Sequence, residues 1–246
     1  MSAGPGQDAP LPRVLLVEDD ASIRRFVTMA LDETAITLLA AATLAEARAE
    51  LDRAPVRLLL CDLMLPDGSG LDLLHDLVAR PDWRAGARLV AFSAGVTTGR
   101  RAELLGLGVD EVLAKPVALA ELEACVQRAL AATVVPTTGA PADARQQAQE
   151  QAVQRFFGGN AELFAAYRQS CLLQFATDLQ QGDAAAAHAD LPALRRLAHS
   201  LKTVLLTLGD LPGSERAAEA ERQAAQGAEA AALQAWAALR QHLPGA

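Results

Sequence analysis

Two groups of residues in this chain have types and spacings that could do chemistry. The first is acidic. Glu18, Asp19 and Asp20 close the stretch VLLVEDD, and Asp62 closes LLLCD. Ser93 and Lys115 end two later apolar runs. Taken singly, each acid reads most simply as a loop residue or a helix cap, Asp20 above all. Taken together they read differently. Carboxylates gathered in one crevice repel unless a cation sits between them. Magnesium suits such a set, because it takes hard oxygen ligands, typically one or two carboxylates beside phosphate oxygens. Ser93 and Lys115 could then bind the remaining phosphoryl oxygens. Asp62 would be the nucleophile, forming an aspartyl phosphate.

The second group is AHSLK, residues 198–202. At about 100° per residue, Leu194, Leu197, Leu201, Val204, Leu205 and Leu208 share one helical stripe. His199 falls roughly opposite that stripe, beside Arg195, Lys202, Thr203 and Leu206. The wheel therefore predicts a solvent-facing imidazole rather than a core histidine. His75, His188 and His242 read as surface residues, Arg24 and Arg25 as solvated helix charges, and Trp83 and Trp236 as packing residues.

The elements that must position these groups follow from periodicity. Residues 13–132 alternate apolar runs at 14–17, 35–41, 56–61, 88–93 and 111–115 with helical patterns at 21–33, 43–54, 70–80, 98–106 and 117–132. Thr43 with Glu46 forms a capping-box signature. Five strand–helix units predict an open, doubly wound parallel sheet, whose functional crevice lies at the carboxyl ends of its strands. Residues 133–143, TVVPTTGAPAD, read as a linker. Beyond it only helices are predicted, at 145–157, 161–187, 191–208, 214–226 and 228–242, with caps at Asn160, Asp190 and Ser214. Short turns between amphipathic helices favour an antiparallel bundle over 144–243.

With these residues in place, two resemblances emerge. Residues 13–132 resemble a two-component response-regulator receiver domain, a flavodoxin-like α/β fold, through Glu18 and Asp19, Asp62 in D-x-M-L-P-x-x-x-G, Ser93 and Lys115-Pro116. The resemblance implies that Asp62 accepts a phosphoryl group. It also implies that Asp19, Asp62 and the main-chain carbonyl of Met64 hold Mg2+, with Glu18 acting mainly through water. Residues 145–243 resemble a histidine-containing phosphotransfer (HPt) domain, an all-α four-helix bundle, through FGGNAELF (157–164), AHSLK and Leu208-Gly209. That resemblance implies that His199 carries phosphate, with Lys202 offsetting its charge. Two positions depart from these families. Val112 stands where receivers commonly have Tyr or Phe, and Thr203 where HPt domains usually have Gly. Thr203 lies one turn from His199, where it would crowd an approaching receiver or orient the imidazole through its hydroxyl.

Composition narrows the function further. The chain has 246 residues and a net charge of −8, with 51% hydrophobic and 4% aromatic residues. That acidic balance argues against nucleic acid as a partner. The lead MSAGPGQDAP, polar and rich in Gly and Pro, is expected to be a short disordered stretch rather than a signal peptide. No run approaches the roughly 18 apolar residues of a membrane span, so a cytoplasmic protein without membrane insertion is expected. Cys61, Cys125 and Cys171 are too scattered for a disulfide framework or a zinc site.

The expected function is a phosphorelay intermediate. It is a phosphotransfer protein rather than an enzyme, although the receiver would catalyse its own phosphorylation and dephosphorylation. Its expected partners are a sensor histidine kinase and another response-regulator receiver. Two alternatives stay open: a phosphate sink draining a foreign receiver, and a phosphorylation-regulated binding protein with a silent HPt module. Fully extended, the roughly eleven linker residues would reach nearly 40 Å, so reach alone does not forbid transfer within one chain.

Overall fold

The computed structural model describes residues 10–94, 97–130 and 146–243. The predicted lead (apart from Pro10) and the linker at 133–143 lie outside them. The strands, in chain order, are β1 (Arg13–Val17), β2 (Thr37–Ala41), β3 (Leu58–Cys61), a ribbon of β4 (Met64–Leu65) and β5 (Gly68–Ser69), then β6 (Arg88–Ala94) and β7 (Glu111–Lys115). Five of them form one parallel sheet in the order β2-β1-β3-β6-β7, and the two-residue strands β4 and β5 pair antiparallel beside it. Apart from Arg13, β1 is buried throughout, and β3 is buried along its whole length. That requires cover on both faces, the condition of a central parallel strand.

The chain leaves β1 toward β2 on one side and β3 on the other. The switch point is therefore at the carboxyl ends of β1 and β3, where Asp19 and Asp62 follow. The helices around the sheet are α1 (Ala21–Ala30), α2 (Leu44–Arg53), α3 (Gly70–Ala79), the single turn α4 (Pro81–Arg84), α5 (Thr98–Gly106) and α6 (Leu119–Leu130). Helices α1 and α6 cover one face through residues such as Phe26, Val27, Leu122 and Val126. Helices α2, α3 and α5 cover the other through residues such as Leu44, Leu51, Leu73, Leu77 and Leu104.

Local signals set the helix starts near the crevice. Asp20 caps α1, its Oδ1 accepting the Ser22 and Ile23 N–H groups at 2.8 and 2.9 Å. Thr43 caps α2 by accepting the Glu46 N–H at 3.1 Å, while the Glu46 carboxylate accepts from the Ala42 N–H at 2.7 Å. Asp67, five residues after Asp62, accepts the Leu44 and Ala45 N–H groups at 2.9 and 3.0 Å. The loop carrying Asp62 is thereby pinned to a neighbouring helix.

The second half is helical throughout its described residues: α7 (Gln146–Phe157), α8 (Ala161–Ala187), α9 (Leu191–Thr207), α10 (Leu211–Ala225) and α11 (Glu229–Arg240). Asn160 and Asp190 cap α8 and α9 as the sequence predicts. Ser214 does not cap α10. That helix begins three residues earlier, at Leu211, with Asp210 accepting the Gly213 N–H at 3.0 Å. Pro212 sits in the first turn, where a missing N–H costs nothing, and so permits the early start. The Ser214 hydroxyl instead donates to the Lys202 carbonyl at 3.0 Å. Helices α8 to α11 pack on one another, and α7 packs against α6, α8 and α9. A Cβ on Gly182 of α8 would lie 2.0 Å from the Trp236 indole of α11, so only glycine admits that contact. Beside it, Asp183 accepts from Trp236 Nε1 at 3.1 Å and from Arg240 Nε at 2.9 Å.

The two halves share a core. Phe26 of α1 meets the Phe157 and Tyr167 rings at centroid distances of 5.4 and 5.6 Å, and Phe157 meets Phe164 at 5.2 Å. Among the described residues, no helix is long and apolar enough to cross a membrane.

Candidate functional site

The sheet brings the first group of residues together. Glu18, Asp62, Ser93 and Lys115 are all buried, and Asp19 is half-buried. Each sits where a strand ends, so the main-chain hydrogen bonds of the sheet fix its position. The Asp62 N–H donates to the Val17 carbonyl at 2.8 Å. Gly70 holds the loop from the other side: a Cβ there would lie 1.7 Å from the Asp62 carbonyl oxygen, so the backbones touch with no room for a side chain. The Lys115 ammonium donates to Asp62 Oδ2 at 2.7 Å and also pairs with Glu18 Oε2. The Met64 N–H donates to Asp62 Oδ1 at 3.2 Å. Ser93 Oγ turns to the Ala94 carbonyl at 3.4 Å, a weak bond that leaves the hydroxyl available.

One carboxylate oxygen from each of Glu18, Asp19 and Asp62 lies within 4.8 Å of the others. A single ammonium faces these acids, so the set carries excess negative charge. Burial, then the neighbouring acids, hold Glu18 well above the usual carboxylate range, although Lys115 opposes the shift. Burial and the Asp62 charge push Asp19 up to about 6. Burial would pull Lys115 down, but Asp62 and Glu18 outweigh it and hold the ammonium above its ordinary value. Hard oxygen donors crowded this closely fit a divalent cation such as magnesium, which would relieve their repulsion. Sequence reasoning missed Arg24 here. It is not simply solvated, because its Nη1 donates to the Glu18 carbonyl at 2.6 Å.

The second group differs from expectation. His199 is 5% exposed, not solvent-facing, and Leu206 is half-buried. The wheel located the leucine stripe but not the second buried face of α9. His199, Thr203 and Thr207 follow one another at one-turn spacing, and all three are buried. Thr203 and Thr207 line a shallow pocket with Ile23, Phe26, Lys115 and Pro116, which belong to the other half of the chain. A face of modest polarity looks solvated in sequence, and here its Thr203 and Thr207 meet the αβ half of the chain.

His199 Nδ1 donates to Glu221 Oε1 of α10 at 2.7 Å, and Lys202 pairs with Glu221 Oε2. Burial would raise Glu221, but the hydrogen bonds from His199 and Lys202 prevail and pull it down to about 2. The acid is therefore ionised and fixes the proton on Nδ1. His199 Nε2 is sealed from solvent and has no hydrogen-bond partner among the described residues. Glu221 escaped sequence reasoning because it lies on another helix, nineteen residues beyond Lys202, with no spacing rule to point to it. The Thr203 hydroxyl donates to the His199 carbonyl at 3.4 Å, not to the ring, so it does not orient the imidazole.

The other assignments divide. His75 and His188 are exposed as expected. His242 is no simple surface residue, because its Nε2 pairs with Asp210 at 2.7 Å. Trp83 and Trp236 pack as predicted, and all three cysteines are buried and free.

Comparison with known proteins matches the first half. Residues 14–127 match the family described as Response regulator receiver domain. The chain is 33% identical over 120 residues to the KDP operon transcriptional regulatory protein KdpE of Escherichia coli, covering 49% of this chain and 52% of that protein. It is 33% identical over 133 residues to the response regulator protein PilR of Pseudomonas aeruginosa, covering 54% of this chain and 29% of PilR. It is also 33% identical over 124 residues to the aerobic respiration control sensor protein ArcB of Escherichia coli, covering 49% of this chain and 16% of ArcB. The chain thus spans about half or less of these relatives' lengths. Among solved structures, a CheY-like response regulator receiver domain protein from Methanospirillum hungatei is 27% identical, with a TM-score of 0.44, covering 49% of this chain and 94% of that one. Residues 14–127, with their acid trio and lysine at the strand ends, are a response regulator receiver domain.

Proposed function

We propose that the chain is a phosphorelay protein of two-component signalling. Asp62 accepts a phosphoryl group from the phosphohistidine of a sensor kinase, and His199 carries a phosphoryl group to or from receiver aspartates. One observation supports the reading above the others. The buried Asp62 carboxylate meets Lys115 at 2.7 Å inside an acid trio, at the switch point of a receiver sheet. Lys115 and the Ser93 hydroxyl would contact the phosphoryl oxygens as charge develops on them. Glu18, Asp19, Asp62 and the Met64 carbonyl would hold Mg2+, which would supply positive charge beside those oxygens.

The helical half acts as an HPt module on this reading. With Nδ1 protonated and held by ionised Glu221, the lone pair of His199 lies on Nε2, which is the nucleophile. Lys202 offsets the charge that arrives there. The chain turns over no substrate of its own, while its receiver promotes the gain and loss of its own phosphoryl group. Its partners would be a sensor histidine kinase and a further receiver.

A small phosphodonor such as radiolabelled acetyl phosphate tests the reading. Asp62 should be labelled only with magnesium present, and Asp62→Asn should abolish that label. Magnesium-independent labelling of wild type, or unchanged labelling of Asp62→Asn, would overturn it.

A further inference from the structure

Helix α8 climbs α1 toward the acid trio. Tyr167 packs on Phe26, Cys171 lies close to Ser22, and Asp178 lies within electrostatic reach of Asp20. Successive points along α8 therefore lie nearer to successively earlier points of α1. Helix α9 returns antiparallel after the turn at 188–190. Going from Thr207 through Thr203 to His199 thus moves the same way, about 5.4 Å per turn. Thr203 and Thr207 share a pocket with Ile23, Phe26, Lys115 and Pro116. His199 is the next position on that face, one turn nearer the acids. Lys115 borders this pocket and also holds Asp62. The His199 side chain is buried like Thr203 and Thr207, with its Nε2 sealed from solvent.

We infer that the partner receiver of His199 is the receiver of its own chain, so that Asp62 and His199 exchange the phosphoryl group directly in the docked form described here. The inference rests on the phosphorelay reading above. In the forward step the Nε2 lone pair attacks phosphorus. The N–P bond forms as the bond from phosphorus to Asp62 Oδ breaks, and the electron pair returns to the Asp62 carboxylate, whose restored negative charge pairs with Lys115. The Nδ1 proton stays in place, so the phosphohistidine ring becomes cationic against Glu221. The reverse step uses the same atoms.

The test uses full-length chains. With acetyl phosphate and magnesium, wild type should acquire label first at Asp62, as an alkali-labile acyl phosphate, and then at His199, as alkali-stable phosphohistidine. The second step should keep the same rate constant over a hundredfold range of protein concentration. An equimolar mixture of His199→Gln and Asp62→Asn chains, which must transfer between molecules, should be at least tenfold slower at micromolar concentration and should accelerate with concentration. Phe26→Ala, which loosens the docked face, should slow the wild-type step at least tenfold while Asp62 still takes label. A concentration-dependent wild-type step, or a mixture as fast as wild type, would overturn the inference. So would an Asp62 label that never reaches His199 although a foreign phosphorylated receiver can load His199. Absence of label from Asp62 itself would instead strike the phosphorelay reading, so the two failures are distinguishable.

Discussion

The two candidate sites of this chain are built on opposite plans. The Asp62 site collects its groups from the ends of four parallel strands, each fixed by sheet hydrogen bonds, and its electrostatics are unrelieved: three acids face one ammonium. The His199 site takes three side chains from two adjacent helices, and its charges are satisfied, with Glu221 holding both His199 and Lys202. The first arrangement has the donors that suit a divalent cation. The second fixes a tautomer and leaves one nitrogen bare. The difference teaches that a sheet edge can gather scattered residues because strand ends converge, whereas helices gather only what their facing turns bring together.

The largest expected effect targets the sheet plan alone. Gly70→Ala would force a methyl group against the Asp62 backbone, displacing the nucleophile and its loop. Label at Asp62 should fall more than tenfold, and stability by about 1–3 kcal/mol, the usual range for overpacking. Loading of His199 by a foreign phosphorylated receiver should be unchanged. If Asp62 labelling survives intact, the close approach is not what positions it.

Glu221→Gln targets the helical plan. It removes the charge that supports cationic phosphohistidine and releases the Nδ1 proton preference, so transfer at His199 should slow by roughly tenfold or more while Asp62 labelling stays put. Its pH signature has a definite sign. The folded Glu221 titrates near 2 against an ordinary 4.5, so its contribution to stability is complete above about pH 4.5 and is lost as pH falls toward 2. Urea unfolding should therefore separate wild type from Glu221→Gln at pH 6, and the gap should narrow as pH falls and close only below about pH 2.

Smaller effects belong to the seam between the plans. Burial, opposed by a hydrogen bond from Gln174 and reinforced by Asp20, pushes Asp178 up to about 7. A raised carboxyl costs nothing below its unfolded pKa, and its penalty grows until pH passes the folded value. Asp178→Asn should thus stabilise the protein at pH 8 and leave its stability unchanged at pH 3.5. Denaturant melts at the two pH values check this. Thr203→Gly should cost about 1 kcal/mol from helix propensity while leaving His199 competent, because the Thr203 hydroxyl touches only the main chain. Loss of transfer in that variant would show that Thr203 does serve the chemistry.

The receiver site was legible in sequence because its determinants are local. Asp62 and Lys115 each end a strand whose burial writes itself as an apolar run, so Leu58–Cys61 and Glu111–Lys115 could be read almost to the residue. The ribbon of β4 and β5 and the turn α4 were not legible, since two-residue strands and a single helical turn leave no periodicity. His199 shows the deeper limit. A helical wheel ranks faces by hydrophobicity, and a face of His, Thr and Thr ranks as surface until the element covering it is known. Glu221 was invisible for the same reason, being a partner chosen by packing rather than by spacing.

One consequence of the Gly182–Trp236 contact concerns mechanics. Helix α8 has 27 residues, about 40 Å of continuous rod. Its first half lies on the receiver through Tyr167 and Cys171, and its last turns are clamped to α11 through Gly182 and Asp183. A rod held at both ends is a lever and not a hinge. Separating the two halves would therefore swing α8 to α11 as a single rigid body, so exposure of the buried face of α9 and exposure of α1 would be one event.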